Sequence, residues 1–316
     1  MEPRFGIVAM LDALGVSNYS TQAAIDFSEQ RNELIKNLEE QAPNTEKLFD
    51  AIYTQEIIDQ IISNPGCPPK KNIFPKIEKA VFGDTIILCW PITPESETSR
   101  EVKTWKVFPY IAILLRNIII SGLERGILFR GSISIGEYAC EENTFLGPAI
   151  TDAYAWSEEA DWFGVILTPH CQIYLTYLLE NEAEKETISK VEPTMKFENA
   201  LCVKYCVPLH QGSKELFALS WPLPFLNTGH GSGKSGLVLL ANLLLNKSIP
   251  KGTESKYENS INFFKWFEKE KYSELRDKFE KSRLSHLEKM AQIRAQMERD
   301  RTPKSCEQRT SKESND

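Results

Sequence analysis

The sequence lacks the long lysine- and arginine-rich stripe of a nucleic-acid or anionic-membrane binder: 37 Lys plus Arg stand against 44 Asp plus Glu, a net charge of −7. That disfavours a polymer partner and leaves a small phosphorylated ligand open. No Cys-x-x-Cys pair occurs either. The seven cysteines, at 67, 89, 140, 171, 202, 206 and 306, are odd in number and widely spaced, which reads as reduced thiols of a cytoplasmic protein. The first residues, Met-Glu-Pro-Arg-Phe-Gly, show no basic region leading into an apolar core, so a secretory leader is not expected. The most apolar stretch, Val107 to Leu123, is broken by Pro109, Arg116 and Asn117. It falls short of the ~20 apolar residues a membrane span needs and reads as a core helix. No internal repeat is visible. With 316 residues and 41% hydrophobic content, the chain is long enough to bury a core without disulfide or metal staples.

What is present reads as alternating strands and helices. Phe5 to Leu11 is an apolar, strand-forming run that ends at Asp12-Ala13-Leu14-Gly15, a buried strand closing in a tight turn. Helical spacing follows from about Thr21 to Ile62, interrupted near Pro43-Asn44-Thr45 and stopped at Asn64-Pro65-Gly66. Ile77 to Phe82 and Thr85 to Trp90 flank Gly83-Asp84, a hairpin signature. Lys103 to Glu124 predicts a long buried helix stopped by Gly126. Ile127 to Tyr138 predicts a strand, Phe145 to Ala160 a helix entered through Gly147-Pro148, and Phe163 to Thr168 another strand.

The order is that of an α+β, ferredoxin-like (palm-type) βαββαβ core: one antiparallel sheet covered by helices on one face. Leu201 to Pro208 and Glu215 to Trp221 would extend the sheet, giving a first region over residues 1–250. Residues 251–300 turn rich in Lys, Glu and Arg while Phe263, Phe264, Phe267, Leu275 and Phe279 keep helical spacing, an amphipathic helical region. Residues 301–316 read as a disordered tail.

This topology brings Asp12, at the end of the first strand, and Asp84, at the hairpin turn, to one edge of the sheet. Two carboxylates there suit hard divalent cations, which take oxygen ligands and complete their shells with substrate phosphates. Gly15 permits a tight turn, so that the loop from Ala13 through Val16 and Ser17 can offer amide hydrogens to phosphate oxygens. Two acids capping unrelated turns explain the same pattern equally well.

Phe5-Gly-Ile-Val-Ala-Met-Leu-Asp12-Ala-Leu-Gly15-Val-Ser, Val81-Phe-Gly83-Asp84-Thr-Ile-Ile, Arg130-Gly-Ser-Ile-Ser-Ile-Gly136-Glu and Phe145-Leu-Gly147-Pro-Ala-Ile-Thr-Asp-Ala-Tyr154 resemble, in order and spacing, the motifs of class III nucleotide cyclases. Within that class the chain is most similar to the Pycsar cyclases of bacterial anti-phage defence. The resemblance covers about residues 5 to 170. It implies a lyase that converts CTP or UTP to 3′,5′-cyclic CMP or cyclic UMP and pyrophosphate with two Mn²⁺ or Mg²⁺ ions. Asp12, Asp84 and the backbone carbonyl of Ala13 would be the metal ligands. Gly15, Val16 and Ser17 would face the nucleotide phosphates. The resemblance also implies a cytoplasmic homodimer with sites shared across its interface, and a separately encoded effector activated by the cyclic nucleotide; no nucleic acid and no membrane is implied.

The chain departs from the purine-specific pattern at its base-reading positions, which carry Ala80 and Thr144. Loss of both polar readers favours a pyrimidine. The positions of the transition-state Asn and Arg carry Thr151 and Ala155, so Thr151 is the third candidate catalytic residue, and Arg116, Arg125, Arg130 or a C-terminal basic residue would have to supply the missing charge. A purine (adenylate or guanylate) cyclase with unusual base readers stays open, as does a catalytically silent nucleotide-sensing or dimerisation module.

Other signals read as structural. Gly229-His-Gly-Ser-Gly-Lys234-Ser235 lacks the phosphate-loop spacing and reads as a flexible loop before a helix at Leu237. Cys202, Cys206 and His210 share a strand face but read as core residues rather than a zinc set. His170 beside Cys171 is not a nucleophilic pair. Arg130 reads equally as a phosphate binder or a sheet-edge ion pair, and Trp156 and Trp162 as core aromatics.

Overall fold

The computed structural model describes residues 1–16, 20–40, 76–93, 100–142, 144–180, 201–232, 235–245 and 249–277. It divides into two units, Met1–Lys269 and Glu270–Asp316, and everything below concerns the first. The central strand β1 (Pro3–Ala13) has Ile7, Val8, Ala9 and Leu11 fully buried, as an apolar run flanked on both sides must be. A helix, α1, covers 21–40. The expected continuation to Ile62 lies outside the described residues.

The hairpin β2 (Glu78–Phe82) and β3 (Thr85–Pro91) closes through Gly83, which takes a φ of 58° that a β-carbon would resist. Helix α2 (Arg100–Arg125) ends as Gly126 turns left-handed at φ 69°. There the amide of Ile127 donates to the carbonyl of Gly122 at 2.8 Å, and that of Gly126 to Leu123 at 2.9 Å, the two bonds that satisfy a helix end. The segment Lys103–Arg125 is, contrary to its interrupted appearance, long and apolar enough to cross a membrane. Within this fold 67% of its apolar window is buried, the behaviour of a core helix.

Strand β4 (Phe129–Glu141) is followed by the short β5 (Thr144–Leu146), which folds back on β4. The helix expected over Phe145–Ala160 therefore begins only at Pro148, as α3 (Pro148–Glu159). Its entry residue Gly147 has a φ of 123°, and a β-carbon there would sit 2.8 Å from Tyr138 Cα. Ala149 and Ala153, one turn apart, bring α3 close against Val8, Met10, Ala80, Ile87 and Cys89. Strand β6 (Gly164–Leu167) and α4 (Pro169–Glu180) follow. Then come β7 (Cys202–Pro208) and β8 (Ser213–Leu219).

The eight strands form one sheet in the order β2-β3-β1-β4-β6-β8-β7, with β5 on β4. Neighbours from β2 to β4 are antiparallel, whereas β4 and β6 are parallel. The sheet is thus mixed and not wholly antiparallel, because α3 is a crossover that returns the chain in the same direction. Its helical cover also departs from expectation. Val8 and Met10 face α3, while Ile7, Ala9 and Leu11 point to the other face by strand alternation and are equally buried, with α2 packed against β1.

The carboxyl-terminal part is helical: α5 (Pro222–Ser232), α6 (Gly236–Leu245) and α7 (Glu254–Phe267). The glycine-rich segment expected as a flexible loop is helical through Ser232. Helix α7 buries Phe263, Phe264 and Phe267 completely, against Trp162, Trp221 and Tyr205. Each such ring contributes about 2 kcal/mol of burial. Part of the region expected separately at 251–300 therefore belongs to the body, and the tail 301–316 lies outside the described residues.

Candidate functional site

Asp12 is the penultimate residue of β1 and pairs with Thr85 on one side and Arg130 on the other. Strand alternation puts it on the α3 face, in line with Val8 and Met10. Asp84 sits in the β2–β3 turn next to it, and the amide of Ala13 donates to the Asp84 carbonyl at 3.1 Å. Asp12, Ala13 and Asp84, predicted to meet at one sheet edge, are thus brought together. The Thr85 hydroxyl donates to Asp12 Oδ1 at 3.3 Å. From α1, the buried Arg31 donates through Nη1 to the Gly83 carbonyl, fixing the turn that presents Asp84.

Arg130 closes the other side. Its Nε donates to Asp12 Oδ2 at 3.0 Å, its Nη2 to Glu158 Oε1 at 2.8 Å and its Nη1 to the Glu158 carbonyl at 3.2 Å. Of the two readings open for this arginine, the ion pair is the one the single chain adopts, deeper in the protein than a sheet-edge position implies. Burial pushes the Asp12 carboxyl above its usual range; Arg130 opposes that shift, and the charges of Asp84 and Glu158 add to it. A buried carboxylate beside other acids favours an added positive charge.

A further cation enters from the C-terminal helix. Lys256 on α7 has its pKa lowered by burial and then by Arg130, against the opposing influence of Asp161, Asp12 and Glu158. Nearby, Pro250 packs against Gly15: a β-carbon on Gly15, which has a φ of 80°, would lie 2.8 Å from Pro250 Cγ. The amides of Ala13 and Leu14 already donate to Asp84 and Leu128. The expected phosphate loop is therefore left with Gly15 and Val16 among the described residues, and Ser17 lies outside them.

The remaining predicted positions are not gathered at Asp12. Ala80 is buried against α3 in the apolar cluster. Thr144 is exposed in β5, paired with Glu141, at the end of β4 opposite the one that meets Asp12. Thr151 is exposed near the start of α3 and its hydroxyl donates to the Gly147 carbonyl at 3.2 Å, while the Asp12 end of that helix is marked by Glu158. Arg31, Glu158 and Lys256 escaped the sequence reading: each is an ordinary helical charge whose partner is distant in the chain. Cys202 is buried and Cys206 exposed. Among the described residues no three His, Cys, Asp or Glu side chains converge as a metal set.

The sequence matches no protein-family profile and no curated protein. Among solved structures, the catalytic core of a rhodopsin-guanylyl cyclase with converted specificity, in complex with ATPalphaS, overlays with a TM-score of 0.35 and 11% identity, over 69% of this chain and 97% of that one. An overlay that loose carries no weight for fold or activity.

Proposed function

We propose that the chain is a nucleotide cyclase that converts a pyrimidine nucleoside triphosphate, CTP or UTP, to its 3′,5′-cyclic monophosphate and pyrophosphate. The observation that carries this reading is the meeting of Asp12 and Asp84, held by the Ala13-to-Asp84 backbone bond at 3.1 Å. The strand order β2-β3-β1-β4 with antiparallel neighbours is compatible with the expected palm-type core, and supports the reading. The motif resemblance supplies the reaction, the base class and the defence setting.

The donor set fits divalent cations. It offers oxygen only, and two carboxylates leave room in the coordination shell for substrate phosphates, as Mg²⁺ and Mn²⁺ prefer. Asp12 Oδ1, held among the described residues by the long Thr85 bond alone, and the Asp84 carboxylate would hold the ions, with the Ala13 carbonyl as a third oxygen. When bound, they lower the pKa of the ribose 3′-hydroxyl and neutralise the leaving pyrophosphate. Arg130 orients Asp12 through Oδ2, leaving Oδ1 toward the ligand. Arg31 holds the turn so that Asp84 stays beside Asp12. A homodimer would join its α3 faces, where Tyr154 and Phe82 are large apolar side chains left about half exposed.

The test is incubation of the purified protein with Mn²⁺ and each of ATP, GTP, CTP and UTP, with products identified by chromatography and mass. Cyclic CMP or cyclic UMP that disappears in Asp84→Ala is the expected result. A cyclic purine product would replace the base assignment. Absence of any cyclic product alongside retained nucleotide binding would favour the silent module, to which the Asp12–Arg130 pair is equally suited.

A further inference from the structure

We propose that Lys256, on helix α7, is a phosphate-binding residue of the Asp12–Asp84 site and supplies the positive charge that Thr151 and Ala155 do not. This rests on the cyclase reading for the identity of the ligand, and on the geometry of α7 for the identity of the residue.

Helix α7 is fastened beside the site by polar and apolar contacts together. Asn259 Nδ2 donates to the Asp161 carbonyl at 2.7 Å and to its carboxylate at 3.2 Å. One residue on, Ser260 Oγ accepts from the Phe163 amide at 2.8 Å and donates to the Lys256 carbonyl at 2.7 Å. Phe263, Phe264 and Phe267 then lock the next turns into the aromatic core. The backbone of Lys256 is therefore fixed one turn before this anchor, and Pro250, just ahead of the helix, rests on Gly15 of the loop after Asp12.

The ammonium itself is less committed than its neighbours. Arg130 spends its guanidinium on Asp12 and Glu158. Lys256 is half-buried and feels the like charge of Arg130 as well as the opposite charges of Asp161, Asp12 and Glu158, yet among the described residues no carboxylate lies within 4.0 Å of it. A cation held beside the guanidinium of Arg130, whose own acids are already engaged, and without a contact partner of its own is placed for an anion that arrives from outside. Lysine suits that task, since its ammonium is a compact charge with three rotatable donors that accept phosphate oxygens from several directions.

The test is calorimetric binding of inorganic tripolyphosphate, with Mg²⁺ present, to the full chain and to Lys256→Gln, Lys256→Arg and Lys265→Gln, the last an exposed lysine on the same helix. Lys256→Gln should weaken binding about tenfold, equivalent to ~1.4 kcal/mol. Lys256→Arg should restore most of it, and Lys265→Gln should bind as wild type. Equal affinity of Lys256→Gln and wild type overturns the inference and leaves the cyclase reading standing. Failure of the wild-type protein to bind tripolyphosphate overturns both. Equal weakening by Lys265→Gln reduces the effect to diffuse charge and overturns the inference alone. Because substitution at Lys256 can disturb folding, amine acylation of the wild-type protein, mapped by peptide mass, gives an independent readout. Tripolyphosphate should protect Lys256 and not Lys265, and unprotected labelling of Lys256 overturns the proposal.

Discussion

Arg130 Nε meets Asp12 Oδ2 at 3.0 Å, with both side chains largely withdrawn from solvent, at 10% and 15% exposure. A guanidinium thus holds the carboxylate on which the proposed chemistry depends. Removing one partner of a buried ion pair costs several kcal/mol, because the other is left uncompensated. Here Glu158 still engages Arg130 when Asp12 is neutralised, whereas among the described residues no second ion pair holds Asp12 when Arg130 is removed. Arg130→Ala should therefore destabilise the protein by about 3 kcal/mol, and Asp12→Asn should not destabilise it. Urea unfolding of both variants and of the double variant checks this. Adding Asp12→Asn to Arg130→Ala should recover part of the loss, and strict additivity of the two would deny the pairing.

The raised pKa of Asp12 gives a prediction whose sign runs against intuition. A carboxyl raised in the folded state contributes stability below its ordinary value, and that contribution is lost as pH rises through the folded value. Arg130, Asp84 and Glu158 are the charges that act on it, after burial itself. At pH 8 Asp12→Asn should therefore melt at or above the wild-type temperature, and the difference should shrink as the pH falls, vanishing only below about pH 3, where the carboxyl is protonated in either state. Its nucleotide turnover should be abolished, since a destabilised functional site commonly trades stability for activity. A variant that melts lower at pH 8 than at pH 3, relative to wild type, would contradict the assignment.

Cation binding should follow the same two residues. Mn²⁺ at ten times its dissociation constant stabilises a folded protein by about 1.4 kcal/mol, a few degrees of melting temperature for a domain of this size. The wild-type protein should show that increase, and Asp12→Asn and Asp84→Asn should not. An equal increase in all three would place the ion elsewhere.

The thiols divide by burial. Cys89, Cys171 and Cys202 are buried, and burial pushes each thiol well above its ordinary value. Cys206 is exposed. A thiol reagent at pH 8, followed by peptide mapping, should label Cys206 within minutes and spare the three buried thiols until denaturant is added, since the thiolate is the reactive form. The raised folded values also mean that their stabilising contribution is present below the ordinary thiol pKa and lost as pH rises beyond it. The melting temperature should accordingly fall between pH 8 and pH 10.

Much of the fold was legible because its signals are local. Gly83-Asp84 between two apolar runs announces the hairpin, and Gly126 after a long apolar pattern announces the end of α2. The meeting of Asp12 and Asp84 followed from placing those elements in one sheet. What escaped was set by contacts between residues far apart in sequence. Arg31 reaches Gly83 across 52 residues and Asn259 reaches Asp161 across 98, and no periodicity encodes such pairs. The parallel pairing of β4 with β6 was missed because a strand's direction depends on the crossover that precedes it. The start of α3 was placed early because Phe145 and Leu146 suit a helix or a strand alike, and pairing with β4 decided between them.

Helix α7 offers the last prediction, because it ties the fold to the site. Ser260 accepts the Phe163 amide at 2.8 Å where both are buried, so Ser260→Ala leaves an amide unsatisfied, at a cost of roughly 1 to 3 kcal/mol. Phe264→Ala opens a cavity against Trp221 and Phe225, costing about 3 to 5 kcal/mol. The two act on different parts of the helix. Ser260 is one turn from Lys256, whereas Phe264 is two turns away. At equal folded fraction, Ser260→Ala should weaken tripolyphosphate binding more than Phe264→Ala does, although it is the less destabilised protein. Urea unfolding together with calorimetry on the same samples separates the two effects. Affinity that tracked stability alone would show that α7 supports the fold without positioning the lysine.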